Sequence, residues 1–282
     1  MAKDYKKKTI DRAIFMAEYT QFMIKNPRYS AAAVPQAMYL LEKMQSDARI
    51  TDLRWIAYMF ATLAWETTSP TTITYQKKNK KGVMVTLKQK KWLFTMAPVE
   101  EVGHGKGRKY HDPVKVKRMP NGTAQITERD GDQFLVQVNG KFTAKAKKAV
   151  MGSQDGMKAH KLYEQDDGDE QAYFGRGYVQ LTWWSNYAAG GVSIGRGLDL
   201  LFDPELVKQP EVAYALMSHG MITGSGFANG RRLEHYFTDK KTDYKAARAM
   251  VNGSDCADKI AELAESFEAI LLKASEQKVS TQ

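Results

Sequence analysis

The sequence predicts an α+β protein that is mainly α-helical, with a small antiparallel β lobe inserted into the helical body. Apolar residues recur at helical spacing near both ends of the chain. Short β-prone segments separated by turn residues fill two central stretches. A chain of 282 residues suffices for one large domain or two modest ones. We therefore assign residues 1–70, 96–111 and 151–282 to the helical body, and residues 71–95 and 112–150 to the β lobe.

Three helices are predicted within the first 70 residues. The first ends at Asn26-Pro27, and the second begins near Pro35. The third is capped by Thr51 or Asp52 and is apolar on nearly every side, so it belongs in the core. Ser69-Pro70 stops this helix, which leaves Glu66 in its last turn.

The β lobe is predicted from six short β-prone segments, which alternate with turns rich in Asn, Asp and Gly. We expect the two insertions to meet in space as one antiparallel lobe or barrel, and residues 152–170 to form a polar loop. The predicted strands are Thr71–Tyr75, Val83–Leu87, Val114–Lys117, Ala124–Thr127, Phe134–Val138 and Lys141–Thr143.

The C-terminal third is predicted to be helical again. Asp203-Pro204 and Gln209-Pro210 each open a helix, because proline fits the first helical position. Another helix begins at Thr242-Asp243 and ends at Asn252-Gly253, and the last amphipathic helix includes Ile260–Leu271.

The formal net charge of +10 is concentrated in the centre of the chain. Between Lys77 and Lys148 there are 18 Lys or Arg against 6 Asp or Glu, so the remaining residues sum to −2. This basic lobe is either a solvated surface or a surface that attracts a polyanion, such as wall phosphates, lipopolysaccharide, a membrane surface or nucleic acid.

Several classes of protein are disfavoured by composition. No apolar run approaches the roughly 20 residues that span a bilayer, and no apolar segment follows the basic N-terminus as in a secretory signal. The single cysteine, Cys256, cannot form an intramolecular disulfide, so we expect synthesis in a reducing cytoplasm. The five histidines lack metal-ligand spacing, so we predict no metal and no cofactor.

The most informative stretch is Tyr173–Tyr187. It combines aromatic faces, closely spaced polar side chains and two glycines, Gly175 and Gly177, that allow close backbone approach. Such a surface suits a sugar, whose C–H faces stack on rings and whose hydroxyls need polar partners. A buried aromatic strand and turn is the alternative interpretation.

This stretch resembles the signature of glycoside hydrolase family 19, the chitinase and phage-endolysin group of the lysozyme-like superfamily. The resemblance covers about two thirds of the chain and misses two central segments. It implies a lysozyme-like fold and an inverting hydrolase with two carboxyl groups. Further matches are Ala64-Trp65-Glu66-Thr67, Pro98-Val99-Glu100-Glu101, Gly105-Lys106-Gly107-Arg108, Asp203-Pro204-Glu205-Leu206 and Val251-Asn252-Gly253.

Glu66 is the candidate general acid. A carboxylate at a helix C-terminus, beside an apolar helix and Trp65, should have a raised pKa because the dipole and burial both disfavour its charge. A solvated helix-end glutamate is the alternative. The resemblance assigns the acid role to Glu66, although Trp65 stands where the family has histidine.

Glu101 is the candidate general base, because the family pattern places its second carboxylate at this position, with Glu100 as the variable neighbour. A charged loop edge is the alternative. An inverting enzyme separates its carboxyl groups by about 6.5–9.5 Å to admit a water. The resemblance also implies that Thr182 helps to hold this water.

The remaining candidates concern substrate binding. Gln180, Asn186 and Asn252 match family positions that bind N-acetyl sugars, while Tyr173, Arg176 and Tyr178 are expected in the cleft. Asn252-Gly253 is equally a plain helix stop.

These features together predict a monomeric, endolysin-like enzyme that is made in the cytoplasm and acts on peptidoglycan after release. The basic lobe would bind a polyanionic wall or outer-membrane component. The alternatives are a chitinase, a non-catalytic wall-binding protein and a secreted antibacterial toxin.

Overall fold

A computed structural model describes residues 4–26, 28, 30–120, 122–129, 133–136 and 168–275. The α+β, mainly helical fold class is confirmed, since helices form most of the described body and the strands pair in antiparallel sheets. In this part of the chain, no helix has both the length and the apolar character needed to cross a membrane.

Three helices open the chain as predicted: α1 (Arg12–Ile24), α2 (Ala33–Ser46) and α3 (Leu53–Glu66). The side chain of Asp52 caps α3 by accepting a hydrogen bond from the Arg54 N–H at 2.8 Å. Every residue from Leu53 to Ala64 is buried, as the apolar composition of this segment predicts. α3 therefore runs through the core, and Glu66 is its last residue.

The first insertion is a long hairpin of β1 (Thr68–Lys78) and β2 (Met84–Phe94). Its pairing runs without interruption from Thr68 opposite Phe94 to Lys78 opposite Met84, so both strands are longer than predicted. The hairpin begins directly after α3, and its base therefore lies beside Glu66.

The second insertion contributes to a separate four-stranded sheet of order β6-β5-β4-β7. Among the described residues, β1 and β2 pair with each other and not with this sheet. The expected common β lobe includes residues 137–150, which lie outside the described ranges, and it stays a prediction. β7 comes from the segment predicted as a loop, whose residues 152–167 lie outside the described ranges, as does the predicted strand Lys141–Thr143. The strands are β4 (Val114–Arg118), β5 (Ala124–Thr127), β6 (Gln133–Val136) and β7 (Asp169–Gln171). The division into two domains stays a prediction.

The signature stretch forms a turn that is anchored to the loop carrying Glu101. β3 (Val99–Glu100) pairs with β8 (Arg176–Gly177), and α4 (Trp184–Ser193) follows. Gly177 has a φ of +81°, and a Cβ there would meet Val207 Cγ1 at 2.9 Å, so glycine is required. This pairing brings the middle of the chain to the end of α3.

The C-terminal third packs around α3. It contains α5 (Asp199–Phe202), α6 (Pro210–Thr223), the short strands β9 (Phe237–Thr238) and β10 (Lys241–Thr242), α7 (Tyr244–Ala247) and α8 (Ala257–Ser275). Two predicted helices are shorter than expected: Pro204–Lys208 is a 3₁₀ helix, and α7 continues only as the 3₁₀ turn Arg248–Met250. α8 packs along α3, and the turn Arg248–Met250 places Arg248 against the C-terminus of α3.

Candidate active site

A cavity of about 590 Å³ lies where the end of α3, the β1–β2 hairpin base, the loop after β3 and the signature turn meet. Five of the nine predicted site residues line it: Glu66, Glu101, Gln180, Thr182 and Asn252. The fold thus brings two carboxyl groups that are 35 positions apart in the sequence to the wall of one cavity.

Glu66 is largely buried, with 13% of its side chain exposed. Burial raises the pKa of its carboxyl group, because desolvation disfavours the charged form. The guanidinium of Arg248 forms an ion pair with Glu66 Oε1 and acts in the opposite direction, but the raised direction prevails. Glu66 is therefore a carboxyl group whose protonated form is favoured and whose position is fixed by a buried cation.

Arg248 was not predicted from the sequence, where it is one basic residue in the segment Ala246–Met250. Its side chain is 1% exposed, and its Nε donates a hydrogen bond to the Asp255 carbonyl at 2.9 Å. An arginine at this depth needs a partner. Its place in an otherwise apolar helical segment was the available signal, but the partner could not be inferred from spacing.

Glu101 lies in the loop after β3 and is held by two donors. The Tyr110 hydroxyl donates to Oε1 at 2.9 Å, and the Gly175 N–H donates to Oε2 at 3.1 Å. Burial, and then the Glu101 carboxylate, raises the pKa of Tyr110 to about 12, which keeps this hydroxyl a donor. The two donors fix the orientation of the carboxylate, and Tyr110 was also missed by the sequence analysis.

The space beside Glu101 is too small for a side chain at Gly175 unless Gln180 and Glu101 shift. A Cβ there would lie 2.8 Å from Gln180 Oε1 and 3.2 Å from Glu101 Cβ. Gln180 has a positive φ of 49° and donates from Nε2 to the carbonyls of Val99 and Gly177, each at 3.2 Å. The amide of Gln180 therefore holds the signature turn against β3 while facing the cavity.

Glu100 also borders the cavity but has a different environment. It is exposed, and its carboxylate contacts Lys208 Nζ at 2.9 Å and His104 Nε2 at 3.3 Å. The hydrogen bond from Lys208 lowers the pKa of Glu100. The neighbouring pair thus separates into Glu100, bound to Lys208 and His104, and Glu101, bound to neutral donors.

Four predicted binding residues lie outside the cavity wall. Tyr173 and Tyr178 are buried, and the Tyr173 hydroxyl donates to the Leu201 carbonyl at 2.5 Å. Arg176 is buried and pairs through Nε with Glu205 at 2.9 Å. Asn186 donates from Nδ2 to the Thr182 carbonyl at 2.8 Å. The first three are buried, although Tyr173 also lines a second cavity that adjoins the first. All four lie in or beside the turn that carries Gln180 and Thr182.

Aromatic side chains border the opening of the cavity. Trp65, Trp92 and Tyr110 line it, and the ring of Trp65 lies under the guanidinium of Arg28 at 4.8 Å. Trp65 therefore forms part of the wall next to Glu66. These rings are suited to stack on the apolar faces of sugars.

A second cavity of about 520 Å³ adjoins the first and shares Tyr110 with it. Trp183 borders it with an exposed indole and a φ of +71°, which is unusual for a bulky residue. The described residues contain no group of three or more His, Cys, Asp or Glu side chains arranged to hold a metal ion.

A curated relative, an endochitinase of Arabidopsis thaliana, is 56% identical to this chain over 45 residues. The match covers 16% of this chain and 16% of that protein. No protein-family profile and no solved structure matches the chain. The local similarity indicates a chitinase-like relation over this stretch, in agreement with part of the resemblance seen in the sequence.

Proposed function

We propose that this protein is a glycoside hydrolase that cleaves the N-acetyl sugar backbone of peptidoglycan by inverting acid–base hydrolysis. The observation that carries the proposal is the cavity wall shared by two carboxyl groups of different environment, Glu66 beside a buried arginine and Glu101 beside two neutral donors. Glycoside hydrolysis needs such a pair with opposite roles.

Glu66 would act as the general acid. Its raised pKa keeps a proton available for the oxygen of the leaving sugar, which would otherwise depart as an unstable alkoxide. Arg248 Nη1 donates a hydrogen bond to Glu66 Oε1, and this contact holds the carboxyl group in one position in both its neutral and its charged form. Once Glu66 has lost its proton, the same cation stabilises the carboxylate.

Glu101 would act as the general base. The donors from Tyr110 and Gly175 leave each carboxylate oxygen with a free lone pair for a water. Thr182, which lines the same cavity, would hold this water because a hydroxyl donates and accepts at once. The water attacks the anomeric carbon from the face opposite the leaving group, which inverts its configuration.

Chitin is the second candidate substrate, and the similarity to an endochitinase favours it. Both polymers present N-acetylglucosamine to the Gln180 and Asn252 side chains of the cavity. The net charge of +10 favours peptidoglycan, whose peptide stems carry carboxylates, whereas chitin is uncharged. We further propose that the enzyme is made in the cytoplasm and acts on the wall after release.

The test compares wild type with Glu66→Gln, Glu101→Gln and, as a matched control, Glu262→Gln, which alters an exposed residue of α8. Turbidity loss is measured on purified peptidoglycan, with colloidal chitin in parallel. We expect about a 10²–10⁴-fold loss in each cavity variant and none in the control. NMR of the first products should show the inverted anomer.

Full activity of either cavity variant would remove that residue from the mechanism. A wild-type protein that binds peptidoglycan but cleaves neither polymer would favour a non-catalytic wall-binding protein. Cleavage of chitin alone would transfer the proposal to that substrate.

A further inference from the structure

The β1–β2 hairpin extends from the helical body as a two-stranded sheet of its own. Every residue from Thr74 to Trp92 is exposed, except for the half-buried Val85. A two-stranded hairpin is at best marginally stable alone in water. This arm therefore offers two open faces and a tip for contact with another surface.

The charge of the arm has a single sign. Residues 68–94 contain seven lysines and no acidic residue, a formal charge of +7, and none of these lysines forms an ion pair with a residue that the structure describes. They are Lys77, Lys78, Lys80, Lys81, Lys88, Lys90 and Lys91. Most of the excess charge of the molecule is thus concentrated on one narrow projection.

The arm also exposes apolar side chains. Tyr75 and Leu87 lie directly opposite each other and are 40% and 38% exposed, while Val83 and Met84 at the tip are 58% and 51% exposed. Residues two apart on a strand share a face, so Ile73, Tyr75, Val85 and Leu87 lie on one face, together with Lys77 and Gln89. The opposite face carries mainly threonine and lysine, including Thr74 opposite Lys88.

We infer that this hairpin docks on the surface of a lipid bilayer with anionic headgroups. The lysines are attracted to the negative surface. Transfer of exposed apolar side chains from water to the acyl boundary is favourable, and the hairpin offers Tyr75, Val83, Met84 and Leu87. A soluble polyanion or a charged glycan would pair with the lysines alone and leave the aliphatic side chains hydrated. The combination of charge and apolar area therefore favours a membrane.

The placement of the hairpin couples this surface to the cavity. Thr68 and Trp92, at its base, border the cavity that contains Glu66 and Glu101. An 11-residue strand is about 35 Å long, so a docked tip would hold the cavity within that distance of the bilayer. The inference itself concerns binding and does not depend on hydrolysis.

The experiment uses the full chain and vesicles of phosphatidylcholine, with or without phosphatidylglycerol, in a sedimentation assay. We expect binding to the anionic vesicles, with little to pure phosphatidylcholine and weaker binding at high salt. Lys78→Gln, Lys80→Gln and Lys81→Gln together should weaken binding about 100-fold, because each lysine near such a surface contributes about a five-fold change.

Two further combined variants separate the contributions. Val83→Ser, Met84→Ser and Leu87→Ser should weaken binding at least about 10-fold while all lysines remain. Lys6→Gln, Lys25→Gln and Lys240→Gln remove the same charge from exposed positions elsewhere and should leave binding within about two-fold. Thermal melting confirms that each variant folds.

Three results would overturn the inference. The first is the absence of binding to anionic vesicles by wild type. The second is an equal loss in the hairpin and control lysine variants, which would indicate attraction by net charge alone. The third is unchanged vesicle binding after the apolar substitutions, together with equally tight binding to soluble polyphosphate, which would identify a polyanion site instead.

Discussion

Replacement of Arg248 by methionine tests how the candidate acid is controlled. Methionine is unbranched and flexible enough to occupy much of the space left by the arginine stem, but it removes the cation that pairs with Glu66. With the lowering influence gone and burial unchanged, the pKa of Glu66 should rise further above its ordinary value.

The magnitude follows from the contact. A cation at this range lowers a carboxyl pKa by about 1–3, so its removal should move the alkaline limb of the kcat/KM profile upward by about 1–3 pH units. The sign is fixed by the role of Glu66: an acid with a higher pKa keeps its proton to higher pH. Activity at the optimum should fall as well, because the side chain loses its fixed position.

Stability should depend on pH in the same variant. In wild type, the raised pKa of Glu66 means that its contribution to the free energy of unfolding is lost as the pH rises through that pKa. Above the higher pKa that Glu66 has in the variant, Arg248→Met leaves an unpaired buried carboxylate, which costs about 3–5 kcal/mol. Near pH 4, where Glu66 is protonated, the cost should be much smaller.

The assay combines a pH–rate profile on soluble glycan fragments with thermal melting from pH 4 to 9. Arg248→Lys keeps a cation beside Glu66, so the alkaline limb of its kcat/KM profile should stay close to the wild-type position. In the double variant Arg248→Met with Glu66→Gln, the melting temperature should not fall further at alkaline pH, because no carboxylate remains unpaired. An unchanged limb in Arg248→Met, or equal destabilisation at pH 4 and pH 8, would refute the electrostatic account.

Two predictions concern the mounting of Glu101. Gly175→Ala should reduce kcat/KM by at least about 10-fold and lower the free energy of unfolding by about 1–3 kcal/mol, because its Cβ would displace Gln180 and Glu101. Wild-type rates together with an unchanged Tm would contradict this packing. Tyr110→Phe removes one hydrogen-bond donor to Glu101, so kcat/KM should fall about 10-fold while Tm changes by no more than a few degrees. Initial-rate measurements that show a change in KM alone would assign Tyr110 to substrate binding instead.

Local rules were sufficient for the elements that depend on neighbours in sequence. The apolar run of α3 and the cap at Asp52 predicted a buried helix that ends near Glu66, and the structure has both. The turn residues near Asn79 predicted a hairpin, although its strands extend beyond the β-prone core. Lysines, which are depleted in strands, fill much of the extension, so the length was decided by continuous cross-strand pairing and not by propensity.

Local rules failed where distant segments compete for the same partner. The edge of β4 pairs with β7, which was predicted as a loop because its sequence Asp-Glu-Gln has little β propensity. The aromatic residues Tyr173 and Tyr178 were expected in the cleft; both are buried, and Tyr173 lines the second cavity. A pattern of aromatic residues gives no information on which face of a turn will meet the core.

By itself, the sequence determined the helical core, the concentration of charge on the central insertions and the two candidate carboxyl groups, because composition, periodicity and motif spacing are local properties. Only the tertiary structure decided that Arg248 pairs with Glu66, that Tyr110 and Gly175 orient Glu101, and that the charged hairpin projects freely. These contacts join residues that are 9 to 182 positions apart. Their free energy depends on burial and distance, which arise when the helices and strands pack together.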